Sequence, residues 1–184
     1  MDLLHWARSL SEQLLADALP RRWAHSQGVG RRAESLADVL GEDAELLAAA
    51  AWLHDIGYAP SLVRTGMHSI DGARYLRDVA GADPRICSLV AHHSCACIEA
   101  KHRGLERILV EEFPAVDGLL TDALTYADMT TSPDGHETEV SARLADILAR
   151  YGAGSVVFDS VSESSPLLVG SVRRISNLVT GAQR

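Results

Sequence analysis

Residues 46–58 read Leu46-Leu47-Ala48-Ala49-Ala50-Ala51-Trp52-Leu53-His54-Asp55-Ile56-Gly57-Tyr58. Eight apolar residues end on an imidazole and a carboxylate set side by side. Ala and Leu lose little freedom in a helix, so the run predicts one. A helix apolar on nearly every side belongs at the centre of a helical core. Ile56-Gly57 is a stop signal. The helix therefore carries Asp55 to the edge of the core, where an unpaired charge is expensive. Something positive must compensate it. Imidazole and carboxylate lone pairs are both good metal ligands.

Working outward, the composition agrees with a helical reading. The chain has 184 residues, 47% hydrophobic and only 5% aromatic, which fits one domain over 1–184. β-branched runs are scarce, and Ser155-Val156-Val157-Phe158 is the clearest. The formal net charge is −8. No basic patch exists beyond the pairs Arg21-Arg22, Arg31-Arg32 and Arg173-Arg174, which argues against a nucleic-acid polymer as partner. A small anionic substrate is still compatible, since a bound cation reverses the local sign. Cys87, Cys95 and Cys97 form no disulfide framework and fit a reducing cytoplasm. Residues 1–19 lack the apolar segment of a signal peptide. No run of about 18 apolar residues suits a membrane.

The apolar periodicity predicts an all-α bundle of about eight or nine helices. A helix over 2–18 breaks at Pro20, and a second spans about 21–40 up to Gly41. Gly28 and Gly30 inside it each cost about 1 kcal/mol relative to Ala, a tolerance that close packing explains. The third helix is the one quoted above. Residues 59–67 form a loop, and a helix follows over about 69–79. Asp83-Pro84 is a cap and first-turn proline for a helix over about 84–96. A further segment covers 99–113, and Pro114 opens a helix to about Met129. Residues 130–135 form a turn, and 138–151 an amphipathic helix. Ser165-Pro166 caps a last helix over 167–179.

Other ligand types recur around the doublet: His25 before it, and His68, His92, His93 and Asp128 after it. His54 and Asp55 can hold a cation, with His25 and Asp128 completing four ligands. Neighbours on a helix point about 100° apart, so the pair converges only at a helix end. With Asp55 as a bridge, His68 with His92 or His93 can hold a second ion. Paired metals about 3.5–4 Å apart suit displacement at phosphorus. Imidazole mixed with carboxylate suits Fe, Mn, Co, Ni or Zn better than Mg, with Fe or Mn favoured. The absence of cysteine ligands argues against structural zinc.

The ordered series resembles the HD superfamily of metal-dependent phosphohydrolases, named for this doublet. His54-Asp55-Ile56-Gly57 matches its "HDIG" form. His68-Ser69-Ile70-Asp71-Gly72-Ala73, Val90-Ala91-His92-His93 and Tyr126-Ala127-Asp128 are similar to its later elements. Ala24-His25-Ser26-Gln27-Gly28-Val29 resembles the first histidine of a bacterial branch that cleaves symmetrical dinucleoside tetraphosphates. The likeness covers about residues 21–151. It implies an HD-type helical bundle with one or two divalent transition-metal ions held by His25, His54, Asp55, His68, His92, His93 and Asp128. It implies catalysis at His54 and Asp55, with metal-bound hydroxide attacking a small phosphorylated substrate such as a nucleotide or dinucleotide.

Two features depart from the pattern. Many relatives carry a lysine where Tyr58 stands. Ser94-Cys95-Ala96-Cys97 replaces the "GYP" element of the cyclic-dinucleotide branch. A di-iron oxygenase of the same fold and a non-catalytic nucleotide sensor remain as alternatives. Arg21, Arg22, Arg64, Arg74 and Lys101 are candidates to grip phosphate. Thr130, Thr131 and Asp134 are candidates for the pocket mouth. His5, His102 and His136 read as surface residues.

Overall fold

A computed structural model describes residues 2–116 and 118–182. Asp2 caps α1 (Leu3–Leu15) by accepting from the Leu4 amide at 3.3 Å. Pro20 takes the first position of α2 (Pro20–Glu34), where a missing N–H costs nothing. The expected long second helix breaks at Ser35, whose hydroxyl donates to the Arg32 carbonyl. A short α3 (Ala37–Leu40) and a 3-10 turn follow. Next comes α4 (Ala44–Leu53), buried throughout from Leu47 to Leu53. It packs against α1, α2 and two later helices, and is the axis of the molecule.

The chain leaves α4 at His54 and makes a tight 3-10 turn over Ile56–Tyr58. The loop 59–67 is stapled by Asp71, which accepts from the amides of Arg64 and Thr65 and from the Thr65 hydroxyl. That staple sets where α5 (His68–Asp78) begins. Asp83 caps α6 (Pro84–His92) through the Arg85 amide at 2.7 Å. The segment beyond splits into α7 (Ala96–His102) and α8 (Glu106–Glu112), turning at Gly104 (φ +70°). Then come α9 (Gly118–Met129), α10 (Val140–Tyr151) and α11 (Val156–Ala182). Among the described residues no strand forms, only an isolated bridge between Thr131 and Glu137. Among the described residues eight helices reach nine residues or more, so the fold is an all-α bundle.

Two further boundaries differ from expectation. Residues 84–96 are not one helix: α6 stops at His92, and Ser94 and Cys95 take left-handed backbone angles (φ 49° and 61°). The Ser165-Pro166 cap does not exist; Pro166 lies inside α11. The upstream turn is closed by serines, with Ser164 and Ser165 hydroxyls both donating to the Val161 carbonyl. Ser155, not Ser165, starts this helix, its hydroxyl accepting from the Phe158 amide. The β-branched run is thus helical from Val156, with Ser155 as its cap.

Candidate metal centre

Close packing decides where each ligand sits. A Cβ on Gly30 would fall 2.3 Å from the Trp52 ring, and one on Gly28 2.6 Å from the Gly135 carbonyl oxygen. Glycines therefore let α2 lie directly on α4 and on the 130–138 turn, which brings His25 to the doublet. A Cβ on Gly57 would fall 1.9 Å from the His68 carbonyl oxygen. Gly57 lets α5 dock on the turn after the doublet, which brings His68 in.

Three buried histidines share one arrangement. The Nδ1–H of His25 donates to the Ser132 carbonyl (2.9 Å), that of His54 to Ala51 (2.7 Å) and that of His93 to Val90 (2.6 Å). A carbonyl can only accept, so Nδ1 carries the proton and Nε2 turns its lone pair inward. His25 Nε2 then faces the Asp128 Oδ1 at 3.0 Å, acceptor to acceptor. Among the described residues, His54 Nε2 is buried without a hydrogen-bond partner. It lies 3.2 Å from the Asp55 Oδ2 but off the line of a hydrogen bond. Facing lone pairs in a dry interior require a proton or a cation between them.

The donors form two adjoining trios. His25, His54 and Asp128 offer three donor atoms all within 4.8 Å of one another, and so do Asp55, His68 and His93. Asp55 joins them. Its Oδ2 is 3.2 Å from His54 and 3.8 Å from His25, and its Oδ1 is 3.5 Å from His68. Ligands at about 2.1 Å from one ion stand about 3 Å apart, so modest tightening converts either trio to a coordination shell. The donor set, two carboxylates with four imidazoles and no thiolate, fits a divalent transition metal.

The electrostatics favour such an ion. Burial pushes both carboxyl groups up, but Arg22 and His54 hold Asp55 well below the usual range, and a proton on the His25–Asp128 contact, with His54, does the same for Asp128. Both are anionic. Burial, reinforced by the neighbouring His54, holds the His93 ring down, and burial likewise lowers His68. Burial would lower His54 too, but the charges of Asp55 and Asp128 raise it on balance.

His92 is not brought to this centre. Its Nε2 bonds the Phe113 carbonyl at 2.7 Å, on the far side of α6. This corrects its place in the expected ligand set. The left-handed step at Ser94–Cys95 turns the chain just after His93 and aims His93 alone inward. The step also lets the Ser94 hydroxyl donate to the Asp128 Oδ2 at 2.5 Å, a role without any signal in the sequence.

Of the five candidate phosphate grips, only Arg22 reaches the centre, its Nη1 2.6 Å from the Asp55 Oδ2. It stacks on the Tyr58 ring at 4.1 Å, and Tyr58 stacks on His68 at 4.0 Å. Tyr58, at the lysine position of many relatives, thus holds a cation over the site instead of supplying one. Arg21 pairs with Asp134, Arg74 with Glu112, and Lys101 lies 3.7 Å from Glu163. Arg64 is turned to its own loop, donating to the Val63 carbonyl. Thr130 and Thr131 cap α9 through the carbonyls of Tyr126 and Ala127 rather than lining the mouth. Burial pushes the Cys95 thiol up to about 11, which keeps it from acting as a thiolate ligand. Arg143 was not among the sequence candidates, yet it lines the hollow above Asp55 and Asp128 together with Arg22 and Arg150. Its helical spacing with Ile147 and Arg150 is the one signal that could have found it.

Comparison with known proteins agrees with this geometry. Over 93 residues the chain is 30% identical to ribonuclease Y of Rubrobacter xylanophilus, covering 50% of this chain and 17% of that protein. No solved structure matches significantly. The HD domain model matches residues 22–151, more than two thirds of the chain. From α2, which brings His25, through α10, which brings Arg143, the chain belongs to the HD domain family, whose members are in general metal-dependent phosphohydrolases.

Proposed function

We propose that this protein hydrolyses a small phosphorylated molecule, a nucleotide or dinucleotide, at the centre formed by the two trios. The observation that carries this reading is the bridging place of Asp55 between two sets of inward-facing lone pairs, under a wall of arginines. His25, His54 and Asp128 would hold one divalent ion, Asp55 with His68 and His93 a second. Such ions lower the pKa of water and stabilise charge on phosphoryl oxygens. The residues do the rest. Arg22 stays fully charged in spite of its burial, because Asp55 faces it, and it is placed to meet a phosphoryl oxygen beside the bridge. Tyr58 keeps its proton, since burial raises its pKa, and it orients Arg22 by stacking. Ser94 and the Ser132 carbonyl fix Asp128 and His25.

A small substrate is preferred to a polymer because the chain is acidic and the arginines converge on a hollow rather than a track. The test is metal content together with hydrolysis of a panel after loading with Mn or Fe. The panel includes mononucleotides, dinucleoside polyphosphates and an oligoribonucleotide, with oxygen uptake followed in parallel. Wild type should retain metal and release phosphate or nucleotide. His54→Ala and Asp55→Ala should lose most of both. Unchanged metal content in the two variants sinks the site, and turnover confined to the oligoribonucleotide or to oxygen uptake sinks the substrate class.

A further inference from the structure

We infer that Arg143, with Arg150 and Arg22, forms a clamp for a second phosphoryl group, so that the substrate is a diphosphate or longer rather than a monoester. Arg143 is the uncommon residue here. Its side chain is only 7% exposed, and among the described residues its Nε and Nη1 have no hydrogen-bond partner. The carboxylates nearest to it lie beyond hydrogen-bonding reach, Asp128 at 3.8 Å and Asp146 at 3.7 Å. A buried guanidinium normally uses its donors, because leaving them dry and unpaired is costly. The side chain that carries them lines the metal hollow.

The placement specifies what fills the gap. Arg22, Arg143 and Arg150 are shared between two adjoining hollows, one containing Asp55, His68, His93 and Asp128, the other lined by Leu19, Pro20 and Pro133. The second is the roomier, about 310 Å³ against about 110 Å³. The arginines therefore stand between the metal ligands and a partly apolar chamber. An anion bridging that step meets metal at one end and guanidinium groups at the other. Glu99 at the wall is already engaged by Arg103, and Arg150 is paired with Asp146, a partner it would share with a bound anion. Among the described residues, the second hollow is lined by Arg21, Arg22, Arg143 and Arg150 and by no carboxylate, a local reversal of sign in a chain with net charge −8. A phosphoryl oxygen cluster suits it, since guanidinium donors bind such oxygens in charge-assisted pairs.

The inference rests on the hydrolase reading for the nature of the anion, and its test is chosen to fail separately. Manganese-loaded protein is titrated calorimetrically with methylenediphosphonate and with methylphosphonate, neither of which can be hydrolysed at phosphorus–carbon bonds here. Wild type should bind the diphosphonate at least about tenfold more tightly, the worth of one or two charge-assisted hydrogen bonds. Arg143→Gln and Arg150→Gln should lose that preference with metal content unchanged, and Arg143→Lys should restore part of it. Absence of a preference in wild type overturns the clamp. So does its survival in Arg143→Gln, or an equal loss for both probes. If Arg143→Gln does not fold, as circular dichroism will show, the half-exposed Arg150 decides the matter. A preference without turnover on any substrate defeats the hydrolase reading and leaves the clamp standing; turnover without a preference does the reverse.

Discussion

His92 and His93 are adjacent, yet one bonds the Phe113 carbonyl and the other stands 3.1 Å from the His68 Nε2. Replacing them should have different consequences. His92→Ala should cost about 1 kcal/mol of stability through the lost hydrogen bond and leave metal content intact. His93→Ala should lower metal content with a smaller effect on folding. Elemental analysis beside thermal unfolding separates the two. Gly57 provides the second prediction at this scale. Its missing side chain is what allows α5 to lie on the turn after the doublet, so Gly57→Ala should cost about 1–3 kcal/mol, as overpacking does. It should also weaken metal binding by displacing His68. A variant as stable as wild type, with full metal content, would show that α5 is not seated as described. Which residue types meet at the centre was legible in the sequence, because buried charges need partners. Which of two adjacent histidines turns inward was not, because that depends on left-handed angles at Ser94 and Cys95, two residues with no preference for them.

At the scale of the elements, α9 and α11 are tied by Asp122. It accepts from the Ser171 hydroxyl at 2.6 Å and from two nitrogens of Arg174 at 2.6 Å. Burial pushes its carboxyl up, but Arg174 and Ser171 outweigh burial and hold it below the usual range. A lowered folded pKa means stability present above the ordinary aspartate value of about 3.9 and lost as pH falls through the lower folded value. Asp122→Asn should therefore cost about 1 kcal/mol at neutral pH, the Arg174 side being exposed. The gap from wild type should close in strong acid. Denaturant unfolding at several pH values checks this, and a gap independent of pH would refute it. Helix positions were mostly readable from apolar periodicity and from Asp83-Pro84. The start of α11 was not. Ser165-Pro166 has the form of a cap, and it is overridden where α11 runs on through Pro166 and packs along its length against α7, α9 and α10.

For the molecule as a whole, the core is one continuous apolar cluster that surrounds Asp55 and Asp128. Among the described residues, Arg22 is the one guanidinium at hydrogen-bonding distance of either carboxylate, on Asp55. A bound cation should thus act as a structural brace. At a free metal concentration about 100 times the dissociation constant, linkage gives about 2.7 kcal/mol. For a chain of this length that is a rise in midpoint of roughly 5–10 °C. Differential scanning calorimetry with chelator and with added Mn measures it, and identical midpoints would count against ion binding in the core. Among the described residues no helix is long and apolar enough to cross a membrane.

The rings of His25, His54 and His93 are each tethered to main-chain carbonyls. None can swing outward to suit a wider ion without breaking a tether. Any preference by ionic radius would then be set by the main chain that anchors them. An engineer wishing to admit Ca²⁺, with its oxygen ligands at about 2.3–2.6 Å, would have to shift backbone, because exchanging one ligand would leave the other anchors where they are.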